Sequence, residues 1–217
     1  INEKGGKAVA NYDSVSTPEG GEAIVRAAVE NFGKVDIVIN NARVLRDKSF
    51  AKLEPKDLEA VVGVHLKGAF FVSQPAFRVM KENNYGRFVF TSSGAGIFGN
   101  FGQTNYGAGK MGLVGLSNVL AVEGAKNNIK SNVIAPIAKT RLTETLLGPM
   151  AAALDPNYVT PLVAYLVSEQ CQLTHEIYDV GGGRYARISI GLGKGWLARK
   201  GQVPSPEEIA ANLAQIR

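Results

Sequence analysis

The chain has 217 residues, a formal net charge of +5, 45% hydrophobic residues and 20% charged residues, which suits a single globular α/β domain. No apolar run approaches the roughly 18 residues of a membrane span, and the basic residues are scattered, so neither a membrane span nor a nucleic-acid partner is indicated. The positive net charge would suit an anionic ligand such as a dinucleotide or coenzyme A, although a general contribution to solubility is the simpler explanation for this charge. The lone Cys171 excludes an internal disulfide.

Strand and helix patterns alternate along the chain. The predicted strands are 7–11, 35–39, 87–91, 130–135 and 177–180. The predicted helices are 21–32, 55–83, 105–124, 158–168 and 206–216, with Pro75 expected to break or kink the second. Residues 137–157 show no clear period and are typical of a functional lid, and residues 188–199 suggest a hairpin or extended arm. This alternation predicts a doubly wound parallel sheet with helices on both faces.

Polar residues follow several of these strands. Asp13 and Ser14 come after the first, Asn41 and Ala42 after the second, and Ser93 after the third. Open α/β sheets bind ligands at the carboxyl ends of their strands. A turn or a helix cap is the alternative for each of these residues, but their shared position favours one ligand site.

A tyrosine and a lysine stand four residues apart on the helix predicted after Ser93. That spacing places Tyr106 and Lys110 on one helix face, one turn apart. A phenol titrates at about 10, and a nearby cation favours its ionised form, so the pair is a candidate acid/base unit. Ser93 could hold a substrate oxygen against the phenol. His65 lies on the preceding helix, where a lone histidine is more often packed than catalytic.

Taken together, Ser93, the Tyr106-x-x-x-Lys110 pair and the Asn-Asn-Ala of residues 40–42 resemble the short-chain dehydrogenase/reductase family. Further segments resemble the branch of this family that oxidises (3R)-hydroxyacyl-CoA in peroxisomal β-oxidation. This closer resemblance runs from about residue 4 to the end of the chain. The segments that carry this closer resemblance are 11–15, 45–50, 64–68, 99–103 and 134–136.

The resemblance implies a Rossmann-like fold, NAD as cofactor, an acyl-CoA substrate, a homodimer and a peroxisomal location, with no metal. It implies that Tyr106 takes the hydroxyl proton, that Lys110 holds the cofactor ribose and keeps Tyr106 acidic, and that Ser93 holds the substrate oxygen. His65 would join the proton path, at a position where the wider family often carries asparagine. The remaining cofactor-binding residues would be Asp13, Ser14, Asn41, Ala42, Pro136, Ala138 and Thr140.

Two departures from the family pattern bear on these expectations. The family's glycine-rich loop and first strand-helix-strand unit belong before Ile1, so residues 1–183 are expected to form an N-terminally incomplete domain that binds NAD weakly and associates with other copies. Residues 184–217 would be an extension packed on that domain. Arg43 replaces the glycine that the family carries after Asn-Asn-Ala, and its bulk is expected to crowd the cofactor.

Three alternatives stay open at this point. The chain could be a non-catalytic relative that keeps the fold for dimerisation, as Arg43 and the expected missing loop would favour. It could also reduce a carrier-bound 3-oxoacyl group or a steroid. Intact Ser93, Tyr106 and Lys110 favour an enzyme.

Overall fold

Among residues 1–140 and 148–217, which the computed structural model describes, five strands form one sheet. The strands lie in the sheet in chain order and are β1 (Ile37–Asn40), β2 (Gly86–Thr91), β3 (Ile129–Pro136), β4 (Ile177–Gly181) and β5 (Arg184–Ile188). Strands β1 to β4 are parallel, with Val38 opposite Phe88 and Phe88 opposite Ser131, and β5 pairs antiparallel with β4. The predicted α/β Rossmann-like class is confirmed.

The described helices are α1 (Pro18–Phe32), α2 (Pro55–Val62), α3 (Gly68–Asn83), α4 (Gly94–Phe98), α5 (Thr104–Glu123), α6 (Thr160–Leu166), α7 (Pro206–Ala211) and α8 (Leu213–Ile216). Helix α1 shows how the local sequence sets the start of a helix. Thr17 caps α1 by accepting the Gly20 N–H, and Pro18 sits at the first helical position, where its missing N–H is harmless.

Helices cover both faces of the sheet because the buried strands are apolar on both sides. Phe88 and Phe90 of β2 pack toward α1, α3 and α5, while Val89 between them packs toward Leu166 of α6. This alternation is the period of a β-strand, in which successive side chains point to opposite faces. The result is the doubly wound arrangement that places strand ends at one open edge.

The strand predicted at residues 7–11 does not form. This segment is extended and exposed, and it belongs to no ladder in the described chain. The Asn2 side chain takes both backbone groups of Ala8: Oδ1 accepts from the Ala8 nitrogen at 2.7 Å, and Nδ2 donates to its carbonyl oxygen at 3.3 Å. The prediction was wrong because no strand of the described sheet lies beside this segment, and at Ala8 a local side chain takes the place of a sheet partner.

The break predicted at Pro75 is displaced. Helix α3 continues through Pro75, and the irregularity between α2 and α3 is instead a π-helical turn, Gly63–Lys67. Pro75 lacks the N–H that would bond the carbonyl of Phe71. That carbonyl lies against α1, where a Cβ built on Gly21 would stand 2.4 Å from its oxygen. Close helix packing therefore accompanies the proline that was expected to end the helix.

The region after β3 only partly follows the predictions. Residues 141–147 of the expected lid lie outside the described residues, and the remainder contains short 3-10 turns at Gly148–Ala153 and Pro156–Tyr158. The hairpin comes earlier than the predicted arm, because β5 returns directly after the Gly182-Gly183 turn. The expected short C-terminal helix is present as α7 and α8. The division at residue 183 stays a prediction, although β5 adds the start of the extension to the sheet.

Candidate active site

A cavity of about 1040 Å³ opens at the carboxyl ends of β1, β2 and β3. Most of the residues predicted to bind or catalyse meet there. Those lining it are Asn41, Ser93, Tyr106, Lys110, Pro136, Ala138 and Thr140. They come from loops after three different strands and from α5, so the parallel sheet itself brings the separated motifs together.

Lys110 is the most constrained of these side chains. It is 2% exposed, its Nζ donates to the Thr91 carbonyl oxygen at 2.6 Å, and Nζ lies 5.5 Å from the centre of the Tyr106 ring. Burial lowers the pKa of Lys110 to about 7, with a further lowering from the positive charge of Arg43. The ammonium and the phenol therefore share one small, largely dehydrated space, as the four-residue spacing predicted.

Ser93 sits at the junction of β2 and α4, where its side chain is the helix cap. Its Oγ accepts the Ala95 N–H at 3.2 Å. Because that bond uses an oxygen lone pair, the hydroxyl proton can be donated to another acceptor in the cavity. Neighbouring Ser92 donates from Oγ to the Lys110 carbonyl oxygen at 2.8 Å, which fixes α5 against the end of β2.

His65 lies behind Tyr106 rather than in the large cavity. It is 2% exposed, and its ring meets the Tyr106 ring edge-on, with centroids 5.2 Å apart. Its Nε2 is 2.8 Å from the Val44 carbonyl oxygen and 3.1 Å from the Val44 nitrogen. Burial, followed by the charge of Lys110, lowers the pKa of His65 to about 4, so the ring is neutral at pH 7.

A second, smaller cavity of about 140 Å³ adjoins His65 on the other side. Asn41 and Ala42 line it as well, so Ala42 faces this cavity rather than the large one. The Nδ1 of His65 is buried and has no hydrogen-bond partner. His65 therefore lies between the small cavity, which it lines, and the Tyr106 ring, which it contacts.

Asp13 and Ser14 are not brought to either cavity. Both are exposed. Asp13 bonds with Asn11 through a side-chain contact of 2.8 Å, and the Ser14 hydroxyl lies 2.8 Å from that of Ser16. Because the strand expected at 7–11 is absent, these residues do not follow a strand end as the sequence argument required. Their predicted cofactor contact stays a prediction.

Two residues important for the geometry were missed by the sequence reasoning. The Thr91 carbonyl holds Lys110, and its hydroxyl donates to Asn41 Oδ1 at 3.0 Å. Buried Asn105 accepts the Tyr106 N–H at 2.8 Å and donates to the carbonyls of Arg46 and Asp57. The only sign of these contacts in the sequence is that Asn105 directly precedes Tyr106.

Arg43 lines the large cavity, where its bulk was expected to crowd the cofactor. Its side chain is half-buried, and its Nε is buried with no hydrogen-bond partner. It is close enough to Lys110 and His65 for its charge to lower the pKa of both. The cavity therefore contains two neighbouring basic side chains beside the candidate acid/base pair.

Two negative findings concern the described residues only. They contain no group of three or more His, Cys, Asp or Glu side chains that could hold a metal ion. None of their helices has the length and apolar character needed to cross a membrane.

Comparison with known proteins gives consistent matches. A family model described as short chain dehydrogenase matches residues 1–147. Over its whole length, the chain is 47% identical to the peroxisomal multifunctional enzyme type 2 of Mus musculus, and it spans 29% of that protein. It is also 47% identical to a protein of Mycobacterium tuberculosis described as a short-chain type dehydrogenase/reductase, and it spans 75% of that protein. The structure of the full-length peroxisomal multifunctional enzyme type 2 of Drosophila melanogaster superposes with a TM-score of 0.84 at 37% identity, covering 99% of this chain and 37% of that one.

Proposed function

The chain belongs to the short-chain dehydrogenase family, and from that premise we propose that it oxidises a (3R)-hydroxyacyl-CoA to the 3-oxoacyl-CoA with NAD as the hydride acceptor. The observation that carries the proposal is the convergence of Ser93, Tyr106 and Lys110 on one cavity, with Lys110 buried beside the Tyr106 ring. The chain spans less than a third of the mouse relative, so only a dehydrogenase step is proposed for it.

Each of the three side chains has one task in this scheme. The Ser93 hydroxyl donates to the substrate oxygen, and the Tyr106 oxygen, as the phenolate, accepts the substrate hydroxyl proton while the hydride of the breaking C–H bond leaves for the hydride acceptor. Lys110 places a positive charge beside the phenol, with Nζ 5.5 Å from the ring centre, and donates to the cofactor ribose. General acid/base catalysis of this kind contributes about 10²–10⁴-fold, and the remaining acceleration comes from orientation of the reactants.

The cavity fits a nicotinamide cofactor on chemical grounds. Asn41, Pro136 and Thr140 line it at strand ends, and Arg43 contributes a buried N–H without a partner. When bound, the nicotinamide ring supplies the hydride acceptor. The protein's own contribution is to place donors and basic groups around the substrate carbon.

Part of the cavity lining suits an acyl chain. Helix α6 and the residues directly before and after it contribute Val159, Val163 and Val167 to the lining. The lining therefore combines apolar side chains with hydroxyl and amino groups, which matches a substrate that has a polar head and an aliphatic chain.

The experiment is a Tyr106→Phe substitution assayed by NADH absorbance with a 3-hydroxyacyl-CoA. Loss of the phenolic hydroxyl should lower kcat by at least about 10²-fold without changing the circular dichroism spectrum. Tyr12→Phe is the matched control, because Tyr12 is 94% exposed and lines neither cavity. Near-normal turnover by Tyr106→Phe would remove the phenol from the mechanism, and an unsubstituted chain that forms no NADH even at saturating NAD would refute the proposed reaction.

We also propose a homodimer and a peroxisomal location, both by similarity to the family. Support for the dimer comes from α5, whose outer face leaves Val119 and Val122 more than half exposed, next to open space at Gly115. Light scattering should give twice the mass of one chain, and a Val122→Lys variant should give a smaller particle. An unsubstituted chain that scatters as a monomer would refute the dimer.

A further inference from the structure

The basic groups in the large cavity lack negative partners. Lys110 donates to a neutral carbonyl, and Arg43 leaves its buried Nε unbonded. In the described part of the chain, no ion pair includes either residue. Burying a charge without a counter-charge is costly, so this arrangement gains stability when an anion enters.

We propose that Arg43 forms an anion subsite that binds a phosphate group of a nucleotide ligand, and that the positive charge of Lys110 beside it strengthens the attraction without a direct contact. An arginine offers Nε and a terminal N–H as a planar fork that matches two phosphate oxygens, whereas a lysine acts as a point charge beside it. The unpartnered Nε is the half of that fork which the structure leaves available. Among the described residues that line the cavity, Arg43 alone carries such a fork.

A phosphate contact by Arg43 predicts the opposite effect on ligand affinity from the one expected from its bulk alone. A side chain that only crowds the cofactor would weaken binding, and its removal would tighten binding. A side chain that contacts phosphate would strengthen binding, and its removal would weaken it. The presence of Lys110 close to Arg43, with no carboxylate to neutralise either, favours the second sign.

The phosphate could belong to the dinucleotide or to coenzyme A, since both carry pyrophosphate. The inference rests on the proposed function for the identity of the ligand, but anion binding itself does not need turnover. Inorganic pyrophosphate therefore serves as the first probe, and NAD and coenzyme A distinguish the two sources.

The test is titration calorimetry of the 217-residue chain at low salt with the three probes. Arg43→Met keeps most of the side-chain length and removes the charge. Arg46→Met is the matched control on the same loop, because Arg46 is exposed, lines neither cavity and bonds its neighbour's carbonyl oxygen at 2.8 Å. Unchanged circular dichroism melting curves would show that both variants fold.

We expect Arg43→Met to bind pyrophosphate at least about tenfold more weakly, as loss of a charge-assisted contact predicts, while Arg46→Met binds like the unsubstituted chain. A parallel loss with NAD assigns the subsite to the dinucleotide, and a parallel loss with coenzyme A assigns it to the coenzyme A part of the substrate. Equal or tighter binding of pyrophosphate by Arg43→Met would overturn the inference, as would a loss that extends to neither nucleotide. A chain that binds pyrophosphate through Arg43 but forms no NADH would refute the proposed reaction and leave the subsite standing.

Discussion

Replacing Lys110 by methionine should stabilise the protein at neutral pH while removing its activity. The Lys110 pKa falls from its usual 10.5 to about 7 in the folded state because burial disfavours the charged form. At about 1.4 kcal/mol per pH unit, the interval between 10.5 and 7 corresponds to about 5 kcal/mol of unfavourable free energy while the residue is charged. Methionine has a similar length and carries no charge.

The direction of the pH dependence follows from proton binding. Between pH 7 and pH 10.5 the unfolded chain holds a proton on Lys110 and the folded chain does not. Stability therefore rises with pH across this window, and the cost is present in full below it. In the methionine variant this contribution is absent, and the Thr91 carbonyl oxygen loses its donor, at a cost of about 1–3 kcal/mol.

Together, the two effects predict that the difference in stability between the variant and the unsubstituted chain changes sign with pH. Near pH 7 the variant should be more stable than the unsubstituted chain by about 2–4 kcal/mol, and near pH 10.5 it should be less stable by about 1–3 kcal/mol. Urea unfolding followed by far-ultraviolet circular dichroism at a series of pH values measures both free energies. Other groups titrate in this range, but they cancel in the difference between the two proteins. A difference that does not vary with pH would refute the reasoning.

Three further predictions concern other parts of the site and the packing. The His65 pKa lies at about 4 in the folded state against 6.5 in the unfolded state. The free energy of unfolding of the unsubstituted chain should therefore fall by about 3 kcal/mol as pH drops through this window, and His65→Asn should remove this fall. Unfolding at pH 6.5 and pH 4 measures it, and equal losses in both proteins would contradict it. Gly21→Ala should lower the melting temperature sharply, since its Cβ would lie 2.4 Å from the Phe71 carbonyl oxygen. Gly94→Ala is its matched control, because the nearest neighbouring atom to the added carbon is Phe98 Cδ2 at 3.9 Å, and should be neutral or stabilising by up to about 1 kcal/mol.

Much of the fold could be predicted because the pattern and the packing agree. The apolar runs that became β2 and β3 are buried on both faces, which is what a parallel sheet requires. Residues 7–11 show where the same reasoning stops. Their composition permits a strand, but a strand also needs a neighbour, and only the structure shows that Asn2 bonds the backbone of Ala8 instead.

The site was predicted to the extent that it follows strand ends and helical spacing. Asn41, Ser93, Tyr106 and Lys110 reach one cavity for those two reasons. The contributions of Thr91 and Asn105 come from backbone groups and long-range hydrogen bonds, which leave no periodic trace in a sequence. The position of Arg43 was noticed as a bulky substitution, but its electrostatic surroundings depend on which side chains lie nearby in the folded chain.

The placement of His65 depends on a feature that no pattern predicted. The π-helical turn Gly63–Lys67 inserts one extra residue into the helix, and such bulges are frequent at functional sites. The turn carries His65 inward, where Nε2 reaches the backbone of Val44 while the ring edge meets Tyr106. Gly109 faces this histidine, and a Cβ there would lie 3.4 Å from the His65 Cβ. The helix irregularity and the glycine opposite it therefore act together to hold the tyrosine ring in position.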